Sequence, residues 1–177
     1  TLSSAGNEDI FVAKMNMTGV WLWAISAGGL GVDESNSVAL DSSGNVYITG
    51  KHQATAYFGS DSLTASGNAD DLFVAKISYN GIWQWVSGAN SHSSGTDDVG
   101  RSIVVDSNGN AYITGYFERD IDFGSTTLVW EADRDLFVAK IDTWGNWKWA
   151  TMGGGREGHD EGYSIAIDPQ NNIFVTG

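Results

Sequence analysis

Asp71-Leu-Phe-Val-Ala-Lys76 is the stretch of sequence that decides the fold, because it occurs three times at nearly even spacing. The other two copies are Asp9-Ile-Phe-Val-Ala-Lys14 and Asp135-Leu-Phe-Val-Ala-Lys140. Self-similarity at a fixed period is the signature of repeat architectures, in which each unit stacks on its neighbours. The chain of 177 residues is therefore built from a unit of about 63 residues that recurs nearly three times.

Three further segments recur with this one and give the unit four segments, which we label A to D in blade order. Segment A is Ser37-Val-Ala-Leu-Asp41, Ser102-Ile-Val-Val-Asp106 and Ser164-Ile-Ala-Ile-Asp168; segment B is Val46-Tyr-Ile-Thr-Gly50, Ala111-Tyr-Ile-Thr-Gly115 and Ile173-Phe-Val-Thr-Gly177; segment C is the opening motif; segment D is Trp21/Trp23, Trp83/Trp85 and Trp147/Trp149. All are short, rich in β-branched and aromatic residues, and bounded by Gly, Asn, Asp and Ser, which is typical of strands.

The connections between the segments complete the fold prediction. Asp41-Ser-Ser-Gly-Asn45 and Asn80-Gly81 are tight-turn sequences, and they join A to B and C to D. The B–C connection is longer, at about 20 residues, and contains its own echo in Phe58-Gly59 and Phe123-Gly124. Four short strands per repeat predict an all-β fold of four-stranded antiparallel meanders, the blades of a β-propeller.

The ends of the chain fall inside a unit, which divides it into two whole and two partial blades. The predicted segments are a C–D half blade over 1–32, blades over 33–96 and 97–159, and an A–B half blade over 160–177. Because propellers have four to eight blades, about three repeats predict part of a larger propeller or array.

The four segments together resemble the SBBP-type β-propeller repeat, a family of secreted and cell-surface proteins of bacteria and archaea. The resemblance covers essentially the whole chain and implies a seven-bladed propeller or a related array, an extracellular or cell-surface location and no defined catalytic activity. It brings no catalytic or ligand residues, because the family motif is structural. The sequence departs from the motif at Pro169-Gln-Asn171 and at Trp144.

Composition excludes several classes of partner. The formal net charge is −13, from 22 acidic and 9 basic residues, whereas nucleic-acid binding requires basic density to displace counterions. An anionic membrane surface repels such a chain, and no run of 18 apolar residues predicts membrane insertion. No cysteine is present, so neither a disulfide framework nor thiolate chemistry is available.

Two recurring features each have a functional and a structural interpretation. The Trp-x-Trp pairs are either a sugar-binding platform or a packing layer between blades, and recurrence in every copy favours packing. The acidic loops before segment A place Asp33, Asp98 and Asp160 in register. They are either calcium ligands or solvated carboxylates that cap turn amides, and we favour the capping role, with no cofactor expected and calcium as the alternative.

The positions that break the repeat give the candidate binding residues. Trp130 lies where the preceding copy has Ala65, and Trp144 lies in a hairpin turn where the other copies have Thr18 and Asn80. Exposed aromatic side chains are typical of recognition hot spots. Trp130 and Trp144 are therefore predicted to form a contact patch for protein or carbohydrate, with packing against a neighbouring blade or subunit as the alternative.

These observations predict a non-enzymatic extracellular or cell-surface module that binds protein or glycan. No nucleophile-elbow motif, metal-ligand spacing or phosphate-binding loop proposes an enzyme. The alternative is a purely structural repeat in a surface stalk, filament or multi-chain assembly. In that case the partner is a second copy of the chain or the remaining blades of a longer one.

Overall fold

The computed structural model describes residues 1–67, 69–131 and 133–177, and every regular element in these ranges is a β-strand. The strands are β1 (Ile10–Met15), β2 (Trp21–Gly29), β3 (Glu34–Leu40), β4 (Val46–His52), β5 (Thr55–Phe58), β6 (Asp61–Thr64), β7 (Asp71–Ile77), β8 (Trp83–Gly88), β9 (Asn90–Ser91), β10 (Val99–Val105), β11 (Ala111–Phe117), β12 (Ile121–Phe123), β13 (Thr126–Leu128), β14 (Asp135–Ile141), β15 (Trp147–Gly153), β16 (Ser164–Ile167) and β17 (Ile173–Thr176). In these ranges no helix has the length and hydropathy needed to cross a bilayer. The predicted all-β class is confirmed.

Two complete four-stranded antiparallel sheets form the middle of the chain. Their orders are β3-β4-β7-β8 and β10-β11-β14-β15, so each follows the predicted A-B-C-D meander. The hairpins β1–β2 and β16–β17 are the C–D and A–B halves of further units. The A strands β3, β10 and β16 lie side by side, and the sheets form part of a propeller rather than a closed ring. The four-stranded blade is therefore confirmed.

The Thr-Gly pair at the end of segment B has a packing reason. A Cβ at Gly115 would lie 1.8 Å from the Val99 carbonyl oxygen, so strands A and B approach too closely there for any side chain. The preceding Thr114 is fully buried, and its hydroxyl donates a hydrogen bond to the Phe137 carbonyl oxygen at 2.7 Å. The repeated Thr-Gly thus fixes strand B against both of its neighbours.

The long B–C connection forms a hairpin that joins successive units, which the sequence did not predict. The hairpin β5–β6 pairs with the end of β2, and the hairpin β12–β13 pairs with β9, which follows β8. In both cases the inserted hairpin of one unit extends the strand-D edge of the preceding unit. Successive units are therefore connected both by backbone hydrogen bonds and by side-chain packing.

The inserted hairpins also cover an aromatic cluster in each complete unit. The Phe58 ring lies 5.0 Å from Phe73 and 5.4 Å from Trp83, the latter edge-on. The equivalent cluster of Phe123, Phe137 and Trp147 repeats these distances at 5.1 and 4.9 Å. The echoing Phe-Gly of the connection thus supplies the third ring to a cluster begun by segments C and D.

The second indole of segment D packs between units. Trp85 Nε1 donates to the Thr143 carbonyl oxygen at 3.0 Å, and Trp23 Nε1 donates to the Tyr79 carbonyl oxygen at 3.1 Å. Each acceptor lies in the C–D turn of the following unit. The structure therefore gives the Trp-x-Trp pairs the packing role that their recurrence favours.

Candidate functional site

Trp144 lies at the tip of the turn between β14 and β15, and 76% of its side chain is exposed. Its backbone N–H donates to Asp142 Oδ1 at 3.0 Å, and the following Gly145 has a φ of 85°. Burial raises the pKa of Asp142, but hydrogen bonds from Lys148 and from turn amides outweigh it and lower the pKa to about 2. The turn is therefore held by a charged carboxylate while the indole projects into solvent.

The other C–D turns also expose apolar side chains. These five residues define the turn face of the molecule: Met17, Val20, Tyr79, Ile82 and Trp144. Each is more than half exposed, and Met17 is completely so. Because each turn from the second unit onwards rests on an indole of the preceding unit, the turns follow one another along the same end of the blades. Clusters of exposed apolar residues on soluble proteins mark interaction sites.

Trp130 has a different environment from Trp144. It lies just after β13, half-buried against the hydrophobic core, and the guanidinium group of Arg119 is stacked 3.9 Å above its ring. Its indole N–H donates to the Asp133 carbonyl oxygen at 3.1 Å, and its backbone N–H donates to Asp120 Oδ1 at 2.9 Å. One ring face and the indole donor are thus already occupied within the chain.

The structure does not bring the two predicted binding residues together. Trp130 precedes β14 and Trp144 follows it, and a strand of seven residues spans about 23 Å. They lie at opposite ends of strand β14, and their role in binding stays a prediction for each residue separately. Sequence comparison finds both residues because both break the repeat, but linear position does not reveal which end of a strand each one occupies.

The acidic loop residues lie in a setting that the capping interpretation describes only in part. Asp33 and Asp98 are each 1% exposed rather than solvated, although both accept hydrogen bonds from backbone amides. Burial raises the pKa of Asp98 to about 7 and also raises the pKa of Asp33. The prediction of solvated carboxylates is therefore wrong for these two residues, because both are buried at the junction with the preceding unit, where their backbone N–H groups donate to the Glu8 and Asp70 carbonyl oxygens.

The grooves among the described residues differ in their lining, and one of them contains the acidic side chains of Glu8, Asp9, Asp33 and Glu34. Another groove runs between β1 and β3 and is lined by apolar and small polar side chains, among them Phe11, Val38 and Ile48. In residues 1–67, 69–131 and 133–177 no group of three or more His, Cys, Asp or Glu side chains is arranged to hold a metal ion. What the site offers chemically is apolar and aromatic contact area on the turn face.

Antiparallel four-stranded sheets that repeat along the chain and pack through aromatic layers define a β-propeller repeat protein. The SBBP β-propeller repeat family matches this chain three times, over residues 23–51, 88–116 and 148–177, and the chain belongs to that family. Each match begins within or at the end of strand D and extends through strand B of the next unit.

A relative is known from a virus. The chain is 29% identical to an uncharacterized WD repeat-containing protein of Acanthamoeba polyphaga mimivirus, and the alignment covers 99% of this chain. It covers 14% of the viral protein, so the chain spans about one seventh of the length of that relative. The likeness extends over all the repeats rather than over one motif.

Proposed function

We propose that this chain is a non-enzymatic β-propeller repeat module that binds a protein partner through its turn face, with Trp144 as the central contact. The observation that carries the proposal is the 76% exposure of an indole at the tip of a rigid turn. Aromatic side chains supply large contact area at a low cost in conformational entropy, and tryptophan is enriched among interface hot spots.

The surroundings of Trp144 support a protein partner over a carbohydrate. Its neighbours along the repeat on the turn face are aliphatic or aromatic, with Met17, Val20 and Ile82 more than half exposed. A row of exposed apolar side chains that includes the aromatic residues Tyr79 and Trp144 matches the anatomy of a protein interface core. Sugar rings stack on free aromatic faces, and Trp130 has one ring face stacked by Arg119.

A photo-crosslinking experiment in the native host cells tests the turn face. A photoreactive phenylalanine at position 144 is expected to give a discrete protein adduct, and the same group at Val129 is not, since that exposed residue lies at the other end of the blade. Excess unlabelled chain should compete away the adduct, whereas the Trp144→Ala chain should compete at least tenfold less well.

Two results would count against this surface. An adduct at position 129 without one at position 144 would move the interface to the hairpin end of the blade. Binding to a glycan array that is lost in the Trp144→Ala chain, with no protein adduct, would make carbohydrate the ligand.

The proposal includes an extracellular or cell-surface location, on the strength of the family resemblance. Cleavage of the protein by protease added to intact cells is the expected result.

The edges of the sheets favour a structural role as a second candidate function. Among the described residues β1 pairs with β2 alone and β17 with β16 alone, although their copies in the complete units have a neighbour on each side. The missing contact in each case is a B–C pairing, whose register is set by β4–β7 and β11–β14. Pairing of β17 and β1 with further repeats, either of a second copy or of a longer chain, would satisfy both edges.

The oligomeric state of the purified chain tests this second function. Light scattering should show a mass of at least two chains, and Val175→Pro in β17 should return the protein to a monomer because proline removes a ladder donor. A wild-type monomer at high concentration would eliminate assembly through these edges.

A further inference from the structure

Two aspartates meet at each junction between successive units. We call them the junction pairs: Asp9 with Asp33, Asp71 with Asp98, and Asp135 with Asp160. The first member begins strand C or directly precedes it, and the second lies in the loop before strand A of the next unit. In all three pairs the backbone N–H of the second aspartate donates to the carbonyl oxygen of the residue before the first, at 2.7 to 2.9 Å. The pairs are therefore one structural feature built three times.

The first aspartate of every pair has the same unsatisfied oxygen. Its Oδ2 accepts a backbone N–H from four or five residues earlier, from Ser66 at 2.8 Å for Asp71 and from Glu131 at 2.9 Å for Asp135. Its Oδ1 is buried, and in residues 1–67, 69–131 and 133–177 no donor reaches it in any of the three copies. Asp98 Oδ2 is buried and unpartnered in the same way.

In two of the three pairs the free oxygen lies close to the partner carboxylate. A Cβ built on Gly154 would lie 2.7 Å from Asp135 Oδ1 and 2.9 Å from Asp160 Oδ2, so the two oxygens converge on one point. Gly28 has the same relation to Asp9 Oδ1 and Asp33 Oδ2, at 2.5 and 2.9 Å. Asp135 is completely buried, so one carboxylate of this junction is fully removed from solvent.

The basic side chains beside the junctions are engaged elsewhere. Lys51 pairs with Asp70 at 2.8 Å, and Arg134 pairs with Glu118 at 2.9 Å and also with Glu161. Among the described residues no Lys, Arg or His forms an ion pair with a member of a junction pair. Each pair holds at least one buried carboxylate beside a second one, with no counter-charge; this arrangement is costly, and a bound cation removes that cost.

We infer that each junction pair contributes the carboxylates of a calcium site, so that cations lie between successive blades. Calcium takes six to eight oxygen ligands and accepts backbone carbonyls and water beside carboxylates, so two carboxylates are a sufficient protein charge. Magnesium requires near-ideal octahedral geometry, and zinc prefers nitrogen and sulfur ligands, of which the first junction pair has none and the other two have one histidine each nearby, His52 and His159. With two carboxylates per site, the dissociation constant belongs in the range of extracellular modules, about 0.1–1 mM.

Calcium titration of the purified 177-residue chain tests this inference. After dialysis against a chelator, equilibrium dialysis with radioactive calcium in about 0.15 M salt should approach three ions per chain, because that ionic strength screens bulk attraction to the acidic surface. The unfolding temperature should rise as calcium is added, because a ligand that binds only the native state stabilises it. Magnesium at equal concentration should have a smaller effect.

A pair of matched double variants assigns the site. Asp135→Asn with Asp160→Asn should bind one ion fewer and show a smaller calcium-dependent rise in unfolding temperature. Asp61→Asn with Asp168→Asn makes the same charge change at one exposed and one half-buried position outside the junctions, and should bind as the wild type does. The inference fails if calcium and sodium chloride of equal ionic strength have the same effect on the wild type. It also fails if the two double variants show the same calcium-dependent rise in unfolding temperature. A third contrary result is a wild type that binds no calcium while the Asp135→Asn, Asp160→Asn variant is more stable than the wild type in chelator; the two carboxylates would then share a proton.

Discussion

Strands β1 and β7 carry almost the same sequence and have different environments. All seven residues of β7 are buried, whereas β1 alternates between buried and exposed positions at its start. The contrast is sharpest at the phenylalanine of the motif, since Phe73 is completely buried and 69% of Phe11 is exposed. Side chains that follow one another on a strand point to opposite faces of the sheet. Each face of the motif is therefore buried only where a neighbouring element covers it.

The difference identifies the inserted hairpin as the element that completes a blade. Phe73 packs on Phe58 of its hairpin, whereas Phe11 has no equivalent ring beside it among the described residues. Trp21 shows the same difference, being 63% exposed where Trp83 is half-buried. The strand-C motif therefore specifies a β-strand. Whether the outer face of that strand is buried depends on the inserted hairpin of the same unit.

Truncation of the two phenylalanines gives the largest expected contrast. Phe73→Ala should lower the free energy of unfolding by about 3–5 kcal/mol, because it removes a fully buried ring and leaves a cavity. Phe11→Ala should cost less than about 1 kcal/mol, since most of its surface is already in water. Urea unfolding followed by tryptophan fluorescence measures both. Equal losses would show that the first half unit is as fully packed as a complete blade.

The repeat and its four strands were predictable because both are local properties of sequence. Alternating apolar residues and turn signals specify strands, and self-similarity sets the period. The inserted hairpin was not predictable in its pairing. Its strands are short, β12 and β13 having three residues each, and β12 pairs with a two-residue strand of the preceding unit. Pairing across units depends on how blades stack, which no window of sequence contains.

The candidate site was predictable in its residues and not in its geometry. The rule that repeat-breaking aromatics matter selects Trp144, which is exposed, and Trp130, whose ring stacks under Arg119. The rule does not distinguish the exposed tryptophan from the stacked one. The partners of Trp130, which are Asp133 and Arg119, occur in one copy only, so comparison of the repeats gives no sign of them. The sequence predicted one member of each junction pair, because Asp33, Asp98 and Asp160 align in the repeat. It did not predict that Asp98 is buried, because that burial depends on the neighbouring unit.

Alanine substitutions at two equivalent turn glycines test the difference between the first half unit and a complete blade, with a smaller expected effect than the phenylalanine truncations. Gly19 and Gly145 have φ values of 81° and 85°, so alanine strains both turns by about 1–2 kcal/mol. At Gly145 the new Cβ would also lie 3.0 Å from Trp85 Cδ2, whereas nothing lies within 4 Å at Gly19. Gly145→Ala should therefore cost about 1 kcal/mol more than Gly19→Ala in thermal unfolding. A larger cost at Gly19 would mean that its turn is packed in solution.

The smallest expected effect concerns the A–B turn carboxylates Asp106 and Asp168. Burial raises the pKa of Asp106, but hydrogen bonds from Asn110, Asn108 and Tyr112 outweigh it, so its pKa lies below the ordinary value. Asp168 accepts equivalent bonds from Asn172 and Gln170, which lower its pKa in an exposed setting.

A carboxylate whose pKa is lower in the folded state stabilises the fold above its unfolded pKa, near 4, and the stabilisation is lost as pH falls through the folded pKa. Asp106→Asn should therefore lower stability at pH 7 by about 1 kcal/mol and flatten the decline below pH 4. Asp168→Asn should change both much less, because solvent screens an exposed carboxylate. Urea unfolding at pH steps from 7 to 2 measures the two slopes. Identical profiles for the two variants would show that turn chemistry alone, and not its burial between complete blades, sets the acid stability of this repeat.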